Sequence, residues 1–402
     1  MKQKKLMLLG GIRYLLPAIE AAHKHGCHVI TVDYLPDNIA HQYSDEYHNV
    51  SIIDKEAVLK LAQSLQIDGI LSYAVDPGVV TAAFVAEQME LPFTCSYEAA
   101  CILQDKAHFR EFLSENGFNV PKARGYSNAE EALKDVGYFN WPVIVKPVDS
   151  AGSKGVTRVD LPRDLPQAIG IALAESHNGH FIIEDFLELD GYQSSADCFS
   201  VDGRLLYSDY SDQLFDKYAA NPFTPSIEIW PSSMPQLRQN ELTQELQRLI
   251  TLLGCGTGLY NVESRVGKNG KSYLMEVSPR AGGNRIAELQ RIGTGIDLIE
   301  AEVLKAIGEK ILVIEQPKYN GFYVNDIIHS NRAGQFLKVE YNDIIKLEHY
   351  ISDAIYLEEG DYVETFSGAN NAVGSLFLRF NRREEVEQFV LDHDKYIKII
   401  VE

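Results

Sequence analysis

The stretch 260–276 holds the residues whose types and spacing carry the clearest chemistry. It reads Tyr260-Asn261-Val262-Glu263-Ser264-Arg265-Val266, then Gly267-Lys268-Asn269-Gly270, then Lys271-Ser272-Tyr273-Leu274-Met275-Glu276. Asn-Gly between apolar strands is a strong signal for a two-residue hairpin turn. With Asn269-Gly270 as that turn, Lys268 pairs with Lys271 and Glu263 falls directly opposite Glu276. Opposed side chains share a sheet face, with Cβ atoms ~4.5–5.5 Å apart. Two carboxylates so placed repel unless a proton or cation lies between them, and hard oxygen ligands at that spacing suit Mg²⁺. Ser278 and Arg280 continue the face at period two. Val262, Tyr273, Met275 and Val277 make the opposite, apolar face. The alternative is a solvated hairpin with charged outer faces, and a slip of one residue would undo the pairing.

A second cluster could hold phosphate. Lys146 interrupts an apolar run, Val143-Ile144-Val145, where a charge is costly unless paired. Asp149-Ser150-Ala151-Gly152-Ser153-Lys154-Gly155 follows it. Its two glycines let backbone N–H groups turn toward an anion, and its hydroxyls and lysine add ligands. It is no P-loop, because GxxxxGK[ST] is absent and a strand follows. The bland readings are a plain glycine turn and a lysine that snorkels to water. Gly10-Gly11-Ile12-Arg13 lacks the GxGxxG pattern and reads as an ordinary βα turn. His23, His25 and His28 read as surface residues, not as a metal site.

The elements that must position these residues follow from periodicity. Over 1–95, short apolar runs at 5–9, 28–33, 50–53 and 69–72 read as strands. Between them, Val58, Leu61, Ala62 and Leu65 share one helix face. Strand–helix alternation predicts a parallel α/β sheet. A helix at 105–116 carries Phe109, Phe112 and Leu113, and Gly117 ends it. Ser127 to Glu130 reads as a capping box. Strands at 143–147 and 156–159 flank the glycine loop. A helix with Leu242, Leu246, Leu249, Ile250 and Leu253 precedes the hairpin. The proline-bearing stretch 212–235 reads as a mobile loop, and 311–402 as a smaller antiparallel unit.

Composition excludes several classes. With 45% hydrophobic and 23% charged residues among 402, the chain is neither disordered nor collagen-like. A net charge of −20 disfavours nucleic acid and anionic membrane as partners. No apolar run approaches ~20 residues, and the run after the basic start Met1–Lys5 is too short for a signal peptide. Five scattered cysteines without a CxxC pair read as reduced thiols of a cytoplasmic protein.

Taken in order, the helix lysine, the strand lysine before a glycine loop, the acidic hinge and the Glu…Glu-x-Ser-x-Arg hairpin resemble the ATP-grasp superfamily. The likeness is to its carbamoyl-phosphate-synthase-like and biotin-carboxylase-like branch. It implies an α/β and α+β multidomain fold: an N-terminal parallel α/β domain (1–100), a small ATP-grasp lobe with a glycine-rich lid (101–190), a large lobe with the metal hairpin (191–310) and a small antiparallel C-terminal subdomain (311–402). It further implies nucleotide contacts from Lys106, Lys146, Ser150, Gly152, Ser153, Lys154 and Gly155. Glu184, Asp185 and Leu187 of Phe181–Leu187 correspond to the adenine hinge. Gln193 stands where relatives often have a ribose-binding Glu. Glu263 and Glu276 correspond to the metal carboxylates, Ser278 stands where many members have Asn, and Arg280 corresponds to the arginine beside the transferring phosphoryl group.

The resemblance implies ATP and Mg²⁺ as cofactors, with Mn²⁺ as a substitute. The activity it implies is ADP-forming ligation of a small carboxylate to an amine through an acyl phosphate. The alternatives are a bicarbonate-using member and an ATP-binding protein without catalysis. A homodimer is implied at the family level only.

Overall fold

Leu6 to Leu9 and Val29 to Val32 are buried without alternation, as strands covered on both sides of a parallel sheet must be. The computed structural model describes residues 3–311 and 313–402; Met1 and Lys2, which open the basic N-terminal run, lie outside them. Here Glu46–His48, His28–Val32, Lys5–Leu9 and Gly69–Leu71 form a four-stranded parallel sheet in that order. The third strand is therefore not at 50–53. That stretch leads into the helix Lys55–Leu65, whose first turn Asp54 caps through Ala57 N–H, and Ile53 is left 64% exposed. An apolar run of four residues cannot by itself distinguish a strand from a helix approach.

A second sheet, antiparallel, runs Ala123–Tyr126, Phe181–Asp185, Val143–Pro147, Thr157–Val159. Helix Leu165–Glu175 buries Leu165, Ile169 and Ala172 against Val143, Val145 and Ile183. Helix Lys106–Glu115 begins at Asp105, whose carboxylate accepts from Ala107 and His108 N–H. The expected capping box at Ser127 is replaced by Asn128, which caps Ala129–Lys134 through Glu130 N–H. An amide side chain serves this position as well as a hydroxyl.

The third sheet carries the hairpin. Its order is Arg204–Tyr207, Ser194–Val201, Gly258–Val266, Ser272–Ser278. Helix Gln236–Leu252 lays Leu242, Leu246, Leu249 and Ile250 against it. The stretch 212–235 is not one mobile loop. Asp212–Phe215 and Pro225–Trp230 are strands of a five-stranded sheet completed by Phe322–Ile328, Gly374–Phe380 and Tyr350–Ile355. Pro225 opens its strand, Pro231 follows its end and Pro235 precedes the next helix. Prolines at such borders do not remove ladder hydrogen bonds. A three-stranded sheet of Tyr362–Val363, Gly334–Tyr341 and Ile397–Val401 closes the chain. Among the described residues no helix is long and apolar enough to cross a membrane.

Candidate functional site

The hairpin brings Glu263 opposite Glu276, but not by the turn read from sequence. Val266 pairs with Ser272, and Gly267 N–H donates to Lys271 O at 2.9 Å. The connection is thus three residues, with Gly270 in the left-handed region at φ 72°, where only glycine sits without strain. That turn alone would shift the register by one. Between Glu263 and Ser264 the partner jumps from Glu276 to Leu274, leaving Met275 as the extra residue of a β-bulge. The bulge restores the pairing of Glu263 with Glu276 and of Asn261 with Ser278. It also changes the apolar face: Val262, Leu274 and Val277 pack under the helix, and Tyr273 and Met275 do not join them.

Three cations lie on the elements beside the hairpin, one of them against Glu276 and two on Glu184. Lys106, first residue of its helix, places Nζ 2.9 Å from Ser150 O and 3.7 Å from Glu276 Oε2. Lys146 Nζ lies 2.5 Å from Glu184 Oε1. Arg110 donates from Nε to Glu184 Oε2 at 3.0 Å and from Nη1 to Met275 O at 2.8 Å. Burial alone would raise the Glu184 carboxyl, yet Lys146 and Arg110 hold it down at about 2. Burial lowers the Lys146 ammonium, and Glu184 opposes that. Burial and the neighbouring charge of Glu276 push the Glu263 carboxyl above its ordinary value.

The remaining residues singled out by sequence have defined places. Asp185 N–H donates to Lys122 O, and its carboxylate accepts from Asn140. Leu187 packs against the hairpin turn, where a Cβ on Gly267 would meet its Cδ1 at 2.9 Å. Gln193 Nε2 donates to Gln213 Oε1 at 2.6 Å and to Glu263 Oε2 at 3.2 Å, and its Oε1 accepts from Arg265 Nε at 2.6 Å. Ser278 Oγ accepts from Gln104 Nε2 at 2.6 Å and donates to Asp76 Oδ1 at 3.1 Å. Asp76 also takes Arg280 in a fork, from Nε at 2.8 Å and Nη2 at 2.6 Å. In the glycine loop, Ser150 Oγ donates to Glu175 O, Ser153 Oγ donates to Phe223 O at 2.8 Å, and Lys154 is exposed. Gly152, Ser153 and Gly155 all have positive φ, at 67°, 60° and 69°.

Among the described residues no three His, Cys, Asp or Glu side chains are grouped to hold a metal ion. Two carboxylates fit Mg²⁺, which keeps several waters or phosphate oxygens in its shell and takes one or two carboxylates from the protein. His23 and His25 bond to Asp45 and Glu300, while His28 bonds to Glu46 and its other ring nitrogen lies 3.9 Å from the same Asp45 oxygen.

Sequence reading missed Asp76, Gln104, Arg110, Gln213 and Arg265 as parts of this network. Two had a signal. Arg110 lies four residues after Lys106 on one helix, so both project from the same face. Arg265 lies two residues after Glu263 on one strand, so both share its polar side.

The family model described as ATP-grasp domain matches residues 139–288. Formate-dependent phosphoribosylglycinamide formyltransferase of Synechococcus sp. is 26% identical over 262 residues, 64% of this chain and 66% of that protein. Carbamoyl phosphate synthase large chain of Ralstonia nicotianae is 23% identical over 346 residues, 77% of this chain and 30% of that protein. The chain thus spans about two thirds of the first relative's length and under a third of the second's. The crystal structure of L-amino acid ligase from Bacillus licheniformis superposes over 100% of both chains with a TM-score of 0.81 and 21% identity. The biotin carboxylase domain dimer of Hydrogenobacter thermophilus 2-oxoglutarate carboxylase, solved with MgADP, ADP and bicarbonate, covers 99% of this chain and 91% of its own, with a TM-score of 0.75 and 15% identity. At these identities the structures speak for the fold. Residues 139–288 therefore match an ATP-grasp domain, set in a fold that both of these solved structures share nearly end to end.

Proposed function

We propose that the chain is an ADP-forming ligase that joins a small carboxylate to an amine, using ATP with magnesium. One observation carries this: Glu263 and Glu276 oppose each other on the hairpin while Lys106 approaches Glu276 and Lys146 lies close by on Glu184. Phosphoryl transfer asks for that distribution of charge, together with positioning and exclusion of water. In this reading Lys106, Lys146 and the N–H groups of 150–155 hold the phosphates. The hinge 184–187 with Gln193 holds the nucleoside. Arg280, steadied by its fork to Asp76, orients the carboxylate that is activated. Magnesium, when held by Glu263 and Glu276, supplies divalent charge that offsets that of the triphosphate. Glu184 holds Lys146 and Arg110 through its carboxylate, so the base meets the hinge backbone and not that side chain.

The protein acts in this proposal as a cytoplasmic enzyme on small molecules. The five free cysteines agree with a reducing compartment, and a homodimer follows the dimeric biotin carboxylase relative. The test measures ADP release from Mg-ATP across a panel of carboxylates and amines, with hydroxylamine to trap an acyl phosphate as hydroxamate. Release that depends on one carboxylate, with hydroxamate formed from it, supports the reading. Release stimulated by bicarbonate without an organic acid points instead to carboxyphosphate. Release indifferent to every acid and amine overturns the ligase.

A further inference from the structure

A row of buried side chains crosses the five-stranded sheet on one face. Gln213 pairs with Glu228, Glu228 with Asn325 and Asn325 with Phe377, and directly opposed residues point to the same side. All four are buried. The row links the acidic hairpin to the turn 282–285 that follows Arg280. At one end, Gln213 accepts from Gln193, the amide that also donates to Glu263. At the other, Asn325 Nδ2 donates to Asn284 O at 2.5 Å, and the Phe377 ring lies 4.3 Å from Arg285 Cζ.

Glu228 stands in the middle of this row and is 1% exposed. Its Oε1 accepts from Gln213 Nε2 at 3.0 Å, while its Oε2 has no hydrogen-bond partner among the described residues. A buried carboxylate oxygen without a donor is costly and calls for an explanation. Burial pushes its carboxyl up to about 8, with the charges of Asp197 and Glu263 adding to the shift. The cations of the site are engaged elsewhere: Arg280 by Asp76, Lys146 by Glu184, Arg265 by Gln193. The turn beside the row carries strain as well. Asn284 and Arg285 are consecutive non-glycine residues at φ 51° and 61°, a conformation that clusters at functional sites.

We propose that Glu228 is the residue that receives the amine substrate, its Oε2 accepting from an ammonium group, so that the second substrate is a primary amine bound in its charged form. The inference rests on the ligase reading above. Binding of the ammonium drives the Glu228 carboxyl to release its own proton to solvent, so that carboxylate and ammonium offset each other, and Glu228 then takes one proton from the ammonium. The nitrogen lone pair forms the C–N bond to the acyl carbon as the C–O bond to phosphate breaks. The proton that the new amide nitrogen sheds leaves with the phosphate. Glu228 is a binding and proton-accepting group for the amine alone; the preceding transfer from ATP does not involve it.

The test compares the parent with Glu228→Gln at pH 7.5, using the amine found in the panel and, separately, hydroxylamine, which is largely uncharged there. Glu228→Gln keeps the shape and the bond to Gln213. We expect it to lose about 100-fold in kcat/KM for the amine, mostly through KM. Hydroxamate formation and KM for ATP stay within about threefold of the parent. Should Glu228→Gln fail to fold, Glu228→Asp carries the test, with KM for the amine raised about tenfold and hydroxamate formation kept. An equal loss with both nucleophiles, or none with either, overturns the role of Glu228 while leaving a hydroxamate-forming parent a ligase. A parent that makes neither amide nor hydroxamate overturns the ligase reading, and the role of Glu228 falls with it.

Discussion

Both oxygens of Glu184 are taken by cations, and each cation reaches it from a different element. Lys146 comes from the neighbouring strand and Arg110 from the helix above. Removing one partner of a buried pair leaves the other charge uncompensated, at a cost of about 3 kcal/mol. Arg110→Met should therefore lower stability by roughly that amount, read as a shift in the urea midpoint. It should also loosen the bulge, because Arg110 holds Met275 O. An unchanged midpoint would mean that Lys146 alone satisfies Glu184. Glu276 is the contrasting case. It is partly exposed and its ion-pair partner is Lys106 at 3.7 Å, so Glu276→Gln should leave the fold intact. In the ligase reading its charge matters to the reaction, and ADP formation should fall ~10²–10³-fold. A Glu276→Gln protein that binds ATP and turns over like the parent would favour a binding protein without catalysis.

The hairpin shows how far a pattern of residues can be read before the fold decides. The two strands were legible from alternation and Asn-Gly, whereas the opposition of Glu263 to Glu276 was reached through a two-residue turn that the fold does not make. The three-residue turn and the bulge at Met275 were not. Their register effects cancel, and each depends on packing that a single strand does not encode: Leu274 must reach the helix Gln236–Leu252, and Met275 O must meet Arg110. The strands Asp212–Phe215 and Pro225–Trp230 were hidden for a related reason, since their prolines lie at borders and their partner strand lies about 100 residues later. Lys146 stood out because a charge among Val and Ile needs a partner, but nothing local pointed to Glu184. The glycine loop was legible as a loop and not as a tethered one. Asn221 Nδ2 donates to Ser153 O at 2.8 Å and to Ser367 O at 3.2 Å, joining the loop to two distant segments. Two such bonds are worth ~1–2 kcal/mol. Asn221→Ala should therefore speed tryptic cleavage after Lys154 by roughly tenfold, measured by limited digestion and mass spectrometry. Equal cleavage rates would show that the tether does not hold the loop.

The chain is knit together by charges buried between its regions, and these make its stability depend on pH in one direction. Burial raises Asp197 to about 7, Asp209 to about 6 and Glu228 to about 8. His393 differs in kind. Burial alone would lower it, but its bond to the buried carboxylate of Asp326 at 2.6 Å lifts it to about 9 from 6.5. In each case the folded chain keeps a proton that the unfolded chain has already released. A raised histidine stabilises fully below its unfolded value and stops doing so as pH rises through its folded value. A raised carboxyl follows the same course from its own unfolded value upward. Folding stability should therefore fall between pH 6 and 9, by roughly 2–4 kcal/mol, with Tm lower by about 5 °C or more. Thermal melts at constant ionic strength check this. Glu228→Gln, which cannot ionise, should flatten the part of the decline below about pH 8. His393→Gln should flatten the part from about 7 to 9. A melting temperature that rises across the interval would mean that these acids already carry their charge in the folded protein. Glu228 would then be an ionised carboxylate before any amine arrives, and binding of the ammonium would release no proton.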